Sequence, residues 1–262
     1  MNRIDKKFKE LKKKGKKAFI AFIMAGDPSL GITEKIIFEL ETQGTDIIEL
    51  GVPFSDPLAD GPTIQRASER ALKNRINLAS VCALVKRLRK NTGIPIVFLT
   101  YYNLIYHYGL EKFVRTAKDS GVDGVIIPDL PPEESGALRG IARKRGLAVI
   151  HLVSPTSSGE RIQKIVKAST GFIYYVSLTG TTGARKALAG KIFEGLRRVK
   201  KIAKQPVCVG FGISLPGQIK ALSNLSDGVI VGSAIIDVIE KNIGNAALVK
   251  KVGSFVRGLR RS

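Results

Sequence analysis

Eight short apolar runs recur along the chain, each followed by a stretch with the spacing of an amphipathic helix. The runs cover residues 18–24, 46–50, 94–101, 123–128, 147–153, 172–178, 207–210 and 228–231. Helical spacing appears at 33–42, 63–73, 79–90, 110–120, 132–145, 158–168, 192–204, 217–222, 234–240 and 246–259. The runs are nearly continuous in apolar residues instead of alternating with polar ones, the pattern of strands buried on both faces of a parallel sheet. Eight such βα units close into a (β/α)8 barrel of the TIM type. An open, doubly wound sheet fits less well: no Gly-x-Gly-x-x-Gly follows the first run, and acidic and glycine-rich stretches follow many different runs. In a barrel all of those loops meet on one face. The expectation is an α/β chain forming one domain over 1–262, with the barrel over about 18–242, an N-terminal helix at 1–14 and a C-terminal helix at 245–260.

The second run ends in Glu49, a carboxylate inside an apolar sequence. Burying an unpaired charge costs several kcal/mol or drives the group to its neutral form. At the C-terminal end of a barrel strand such a group faces the site where chemistry occurs. Few basic residues end the neighbouring strands, so desolvation should raise its pKa, as suits a group that both gives and takes a proton. Beyond Gly51, prolines at 53, 57 and 62 preclude a regular helix or central strand and define an ordered loop carrying Asp56 and Asp60. Asp56-Pro57 is an ordinary turn start. Asp60, before Gly61-Pro62, could cap the following helix. These patterns leave open which aspartate is functional.

Glycine-bearing turns follow the sixth, seventh and eighth runs: Gly180-Thr181-Thr182-Gly183, Gly210-Phe211-Gly212-Ile213-Ser214 and Gly232-Ser233. Barrels commonly bind phosphate with the late βα loops and a helix N-terminus, where backbone N–H groups approach the oxygens. The stretch 179–190 is longer than an ordinary βα loop and rich in small residues, which suits a lid. His107 and His151 lack the spacing of a metal pair, so no metal is expected.

The 43 Lys+Arg against 22 Asp+Glu give a net charge of +21, which raises the question of nucleic acid. The lysines are spread over helix surfaces with clusters at 6–17 and 250–261, and aromatics such as Phe19, Phe22, Phe98 and Phe172 sit within strands instead of among the bases. A solvated basic surface that attracts an anionic substrate is expected, without specific nucleic-acid binding. No apolar run reaches the ~18 residues needed to span a bilayer. The lysine-rich start lacks the apolar core of a signal peptide. Cys82 and Cys208 suggest no disulfide framework, and a reducing cytoplasm is the expected setting.

The stretch 48–61 resembles the signature of the tryptophan synthase alpha chain family, and the resemblance continues to about residue 240. It runs through Gly26-Asp27-Pro28, Asn103, Pro128-Asp129-Leu130-Pro131, Tyr174-Tyr175-Val176-Ser177, Thr182-Gly183-Ala184-Arg185, Gly210-Phe211-Gly212-Ile213 and Gly232-Ser233-Ala234. It implies retro-aldol cleavage of indole-3-glycerol phosphate to indole and D-glyceraldehyde 3-phosphate, a lyase step of tryptophan biosynthesis. By the same resemblance Glu49 is the catalytic acid and base, and Asp60 accepts the indole N–H. Phe22, Leu99, Tyr101, Ile126, Leu152, Tyr175 and Phe211 would line an indole-sized slot, and Thr182 would touch the aspartate when the lid closes. Gly183, Gly212, Ile213, Gly232 and Ser233 would hold the phosphate. No cofactor is implied for this chain. Its implied partner is a pyridoxal-phosphate-dependent beta chain in an alpha2beta2 heterotetramer that receives the indole. Departures lie in the lysine content and basic tail. Two other functions compete with this one: another phosphate-binding barrel enzyme, or a non-catalytic basic scaffold. The related indole-glycerol-phosphate synthase would need a catalytic lysine in a strand, and the strands hold none.

Overall fold

Each apolar run forms a strand, and the strands lie in parallel in chain order. The computed structural model describes residues 1–176, 185–210, 212, 213 and 215–260, the side chains of 185–189 and 191 excepted. The strands are β1 (Ala18–Met24), β2 (Ile47–Gly51), β3 (Ile96–Leu99), β4 (Gly124–Ile126), β5 (Ala148–Ile150), β6 (Leu152–Val153), β7 (Ile173–Val176), β8 (Val207–Gly210) and β9 (Gly228–Val231). They are ordered β5-β4-β3-β2-β1-β9-β8-β7-β6. The end members β5 and β6 are halves of the single strand expected at 147–153, parted only at His151, so the row closes on itself as a barrel. The break has a local cause. The His151 N–H turns to the Ser169 hydroxyl at 3.3 Å instead of joining the sheet ladder.

Strand side chains divide between two cores. Ile20, Ile47, Val97, Ile126, Phe172, Cys208 and Ile230 fill the barrel interior. The opposite faces, with Phe98, Tyr175 and Val209 among them, pack under the surrounding helices. Helix Arg3–Lys13 closes the bottom of the barrel with Ile4, Phe8 and Leu11, its Phe8 ring 5.9 Å from Phe172. It is started by the Asn2 side chain, which accepts the Ile4 N–H at 3.0 Å, and is tied down by Arg3 on buried Asp123 at 3.0 Å. Helix Leu248–Arg260 packs against helix Leu30–Thr42. Cys82 and Cys208 are buried free thiols. Among the described residues, no helix is long and apolar enough to cross a membrane.

Two departures from expectation have identifiable reasons. Helix Tyr102–Tyr108 was not expected after the third run. No local side chain caps it; the Asp129 carboxylate, on the next βα loop, accepts the Tyr102 N–H at 2.9 Å. A cap supplied across the fold leaves no local signal. Helix Arg185–Ile202 takes in residues 185–190, which were expected to end the long loop. Residues 179–184 of that loop, and 177 and 178 at the end of the sixth run, lie outside the described residues.

Candidate active site

Strand register places Glu49. In β2 it alternates with Ile48 and Leu50, both of which pack outward under the helices, so its own side chain turns into the barrel mouth with Ile47 below it. Phe22 and Val97 are its register partners on either side. A cavity of about 270 Å³ opens there, lined by Phe22, Glu49, Asp60, Leu99, Leu152, Tyr174, Gly212, Gly232 and Ser233, together with the helix start 61–64. That is close to the lower end of ordinary small-molecule sites, ~300–1,000 Å³. Wider hollows of about 660 and 980 Å³ flank the N-terminal helix at the other end of the barrel. Their linings mix lysines and arginines with apolar and glycine residues. The smaller cavity is the candidate because the buried carboxylate and two of the glycine turns, at Gly212 and at Gly232-Ser233, converge on it.

The two carboxyl groups differ in environment. Glu49 is 2% exposed, and its Oε2 has no hydrogen-bond partner among the described residues. Burial pushes its pKa up to about 8, and the nearby Asp60 charge adds to the rise. Asp60 is half-buried, and desolvation raises its pKa only to about 6 because a hydrogen bond from the Tyr101 hydroxyl favours the anion. At neutral pH the pair therefore holds a neutral acid and an anion side by side. Tyr101 also accepts the Ala59 N–H at 3.1 Å, and its ring stacks on Phe54 with centroids 5.1 Å apart. Ser68 fastens the same loop from the following helix, accepting the Phe54 N–H and donating to the Phe54 carbonyl, both at 2.9 Å. Asp60 does not cap that helix. Gly61 occupies the cap position of Pro62–Lys73 and makes no side-chain bond. Asp56 is exposed on the loop and accepts the neighbouring Ser55 hydroxyl.

The opposite wall carries Gly212 and the Gly232-Ser233 turn. Helix Ser233–Glu240 starts at Gly232, and both residues line the cavity, so a helix N-terminus contributes to it. Gly212 has a φ of +68°, a conformation that disfavours any side chain. Gly210 ends β8 against Tyr174, whose hydroxyl would lie 2.5 Å from an added Cβ.

Of the expected site residues, the structure brings Glu49, Asp60, Phe22, Leu99, Leu152, Gly212, Gly232 and Ser233 to one cavity, with Tyr101 gripping Asp60. Three are placed elsewhere. Tyr175 points away from the cavity and packs under the helices against Gly195; its neighbour Tyr174 takes the place expected of it. The two are a residue apart on one strand, and adjacent residues face opposite sides of a sheet. Ile126 sits in the interior core without reaching the cavity, and Ile213 is buried in the helix-side core. Thr182, Gly183 and Phe211 lie outside the described residues. The helix start at Pro62, Thr63 and Ile64 was not expected in the site, although its position directly after Asp60 signalled it. Among the described residues, no group of three or more His, Cys, Asp or Glu side chains could hold a metal ion.

A closed parallel barrel whose mouth holds a cavity with a buried carboxylic acid and a helix N-terminus has the architecture of a (β/α)8-barrel enzyme. A family model described as tryptophan synthase alpha chain matches residues 8–261. The tryptophan synthase alpha chain of Geotalea daltonii is 50% identical over 260 residues, covering 99% of this chain and 98% of that one. That of Methanocaldococcus jannaschii is 46% identical over 254 residues, covering 97% and 90%. The crystal structure of the Legionella pneumophila tryptophan synthase alpha subunit superposes with a TM-score of 0.93 at 38% identity, covering 100% of this chain and 98% of the other. A structure described as the basis of mutual activation of the Pyrococcus furiosus tryptophan synthase a2b2 complex matches with a TM-score of 0.88 at 39% identity, over 94% of this chain and 98% of its counterpart. The chain belongs to the tryptophan synthase alpha chain family.

Proposed function

We propose that this chain cleaves indole-3-glycerol phosphate to indole and D-glyceraldehyde 3-phosphate, with Glu49 moving the protons and Asp60 steadying the ring. The observation that carries this reading is the pair itself: a buried glutamic acid, neutral at pH 7, beside an aspartate that Tyr101 keeps anionic. Glu49 gives its proton to indole C3, and the ring becomes an indolenine cation. Asp60 accepts the ring N–H, a charge-assisted hydrogen bond that strengthens as the cation develops. The Glu49 carboxylate then takes the proton of the hydroxyl on the adjoining carbon. The carbon–carbon bond breaks, its electron pair returns to the ring, and an aldehyde forms. Glu49 ends as it began, so the step consumes no water and needs no cofactor. The Gly232–Ser233 helix start and Gly212 are suited to the phosphate, with Phe22, Leu99, Leu152 and Tyr174 around the ring. Purified chain given indole-3-glycerol phosphate should release indole and the aldehyde in equal amounts. No release, alone or with a beta chain, would overturn the reading.

The partner in this reading is a pyridoxal-phosphate-dependent beta chain, joined in an alpha2beta2 assembly in the cytoplasm. Support comes from the a2b2 complex of Pyrococcus furiosus and from chemistry: indole is small and apolar, and would be lost by diffusion unless handed on. The docking surface in this reading is the barrel mouth, where the loops after β2, β3 and β7 emerge. The loop 53–62 belongs to that surface and to the site, so docking can act on Asp60. Titrating beta chain into the alpha chain should raise kcat strongly with less change in phosphate affinity, and Pro53→Gly should blunt the rise. A complex with unchanged turnover would sink the coupling and leave the lyase reading intact.

A further inference from the structure

A set of ion pairs outside the cavity joins the two helices that begin at its opposite walls. Arg66 and Arg70 lie one turn apart on helix Pro62–Lys73, which starts directly after Asp60. Arg70 grips buried Asp27 with two bonds, at 2.7 and 2.8 Å, and reaches Glu240 with its third nitrogen at 2.6 Å. Arg66 holds the same Glu240 through two bonds, at 2.9 and 2.8 Å. Glu240 is the last residue of helix Ser233–Glu240. A carboxylate there opposes the helix dipole, which favours a cation at that end. Asp27 needs a partner because it is buried, whereas Glu240 is only partly buried and keeps access to water. Ion pairs that water still reaches add little to stability, so the placement of Glu240 between two arginines against its helix dipole points to a role in position. The pairing accounts for its strong acidity: Arg66 first, then Arg70, holds its pKa down at about 2.

Geometry defines that role. The strands β2 and β9 flank β1, and Asp27 sits in the turn just after β1. The clamp therefore spans three adjacent βα units, and the outer two of them carry opposite walls of the cavity. Asp60, Pro62, Thr63 and Ile64 form one wall, and Gly232 and Ser233 form the other. We propose that Glu240 is a positioning residue that, through Arg66 and Arg70, fixes the distance between the ring-binding and phosphate-binding walls. It would then favour a ligand that reaches both walls at once, an aromatic ring joined to a phosphate by a short chain. This rests on the function proposed above.

A pre-set span helps only a linked ligand, because its second contact is made at the effective concentration the span permits. Three probes separate the effects: indole, glycerol 3-phosphate, and an indole bearing a three-carbon phosphate chain without the hydroxyl that cleavage requires. Binding of each to the full-length chain is measured by calorimetry or NMR for wild type, Glu240→Ala, Arg66→Met and Glu240→Gln. Glu240→Ala leaves the Asp27–Arg70 pair whole, and Arg66→Met touches only a half-exposed side chain, so one of the two should fold even if the other does not. The expected result is roughly tenfold weaker binding of the linked probe in Glu240→Ala, a smaller loss in Arg66→Met, and fragment affinities within about twofold of wild type. Glu240→Gln keeps the oxygen that both arginines reach and should recover part of the loss. Equal weakening of all three probes, or an unchanged linked probe, would overturn the proposal. If wild type binds neither fragment, the site reading itself fails and the clamp falls with it.

Discussion

Replacing Glu49 by Gln tests the central electrostatic claim without any substrate. A glutamate whose folded pKa is about 8, against an ordinary 4.5, favours the folded state in its neutral form. Its ionisation then costs stability, which is undiminished below pH 4.5 and falls as pH rises toward 8. Each unit of pH across that window removes about 1.4 kcal/mol. Glutamine cannot ionise, so the variant escapes this loss. It will carry a constant offset, because an amide in that pocket has unmet donors, and the test therefore reads the change in the difference and not its absolute size. From pH 4.5 to pH 7 the variant should gain about 3 kcal/mol on wild type, or roughly 5–10 °C in Tm for a chain of this size. Paired thermal melts between pH 4.5 and 8.5 measure it, and other titrating groups largely cancel in the comparison. Melting curves that keep a fixed separation across that range would mean that Glu49 is already ionised near neutrality. There would then be no neutral acid at the site, and the proton-transfer scheme would fail. Activity should fall beyond the ~10²–10⁴-fold typical of one acid–base role, because two proton steps pass through this group; a variant retaining a tenth of wild-type rate would refute the assignment.

Three further outcomes follow from the same geometry. The kcat/KM–pH profile should be bell-shaped with apparent limbs near 6 and 8, since Asp60 must be ionised and Glu49 protonated in the free enzyme; Asp60→Asn should abolish the acidic limb and most of the rate. Tyr101→Phe should move that acidic limb upward in pH, because the lost hydrogen bond favours ionised Asp60, and a limb that stays put would show that Tyr101 does not set it. Gly212→Ala should weaken glycerol 3-phosphate binding several-fold while indole binding holds, since the residue stands at φ +68° where a side chain is disfavoured; equal loss of both ligands would point to misfolding instead.

The barrel was legible because eight apolar runs without internal alternation admit few sheets other than a closed parallel one. The same property hid part of the site. A strand buried on both faces has no polar–apolar alternation to fix which residues face inward. Tyr174 and Tyr175 are therefore equivalent in sequence, and only closure of the barrel decides between them. Glu49 escaped this ambiguity because a carboxylate among apolar residues marks itself. Contacts made across the fold left no trace at all: the Asp129 cap on helix Tyr102–Tyr108, the Tyr101 grip on Asp60 and the Arg66–Glu240–Arg70 bridge each join residues 27 or more positions apart. Asp60 and Asp56 were indistinguishable by local pattern, and the structure separates them by one hydrogen bond and by exposure.

That separation explains why the site needs two acids of the same chemical kind. Two carboxylates close together in a poorly solvated pocket resist ionising together, so the first to lose its proton raises the pKa of the other. Left to themselves they would share one charge, and neither could be relied on to be acid or anion. Depth breaks the symmetry: Glu49 sits on the sheet where water is excluded, whereas Asp60 sits on a loop at the rim. Tyr101 then deepens the asymmetry by donating to Asp60, and the Asp60 charge in turn adds to the rise at Glu49. In the proposed reaction, the proton is thus held where it must be delivered by a bond made at the other carboxylate. Anything that repositions the 53–62 loop, a docking partner included, acts on Glu49 through Asp60 without touching the glutamate itself.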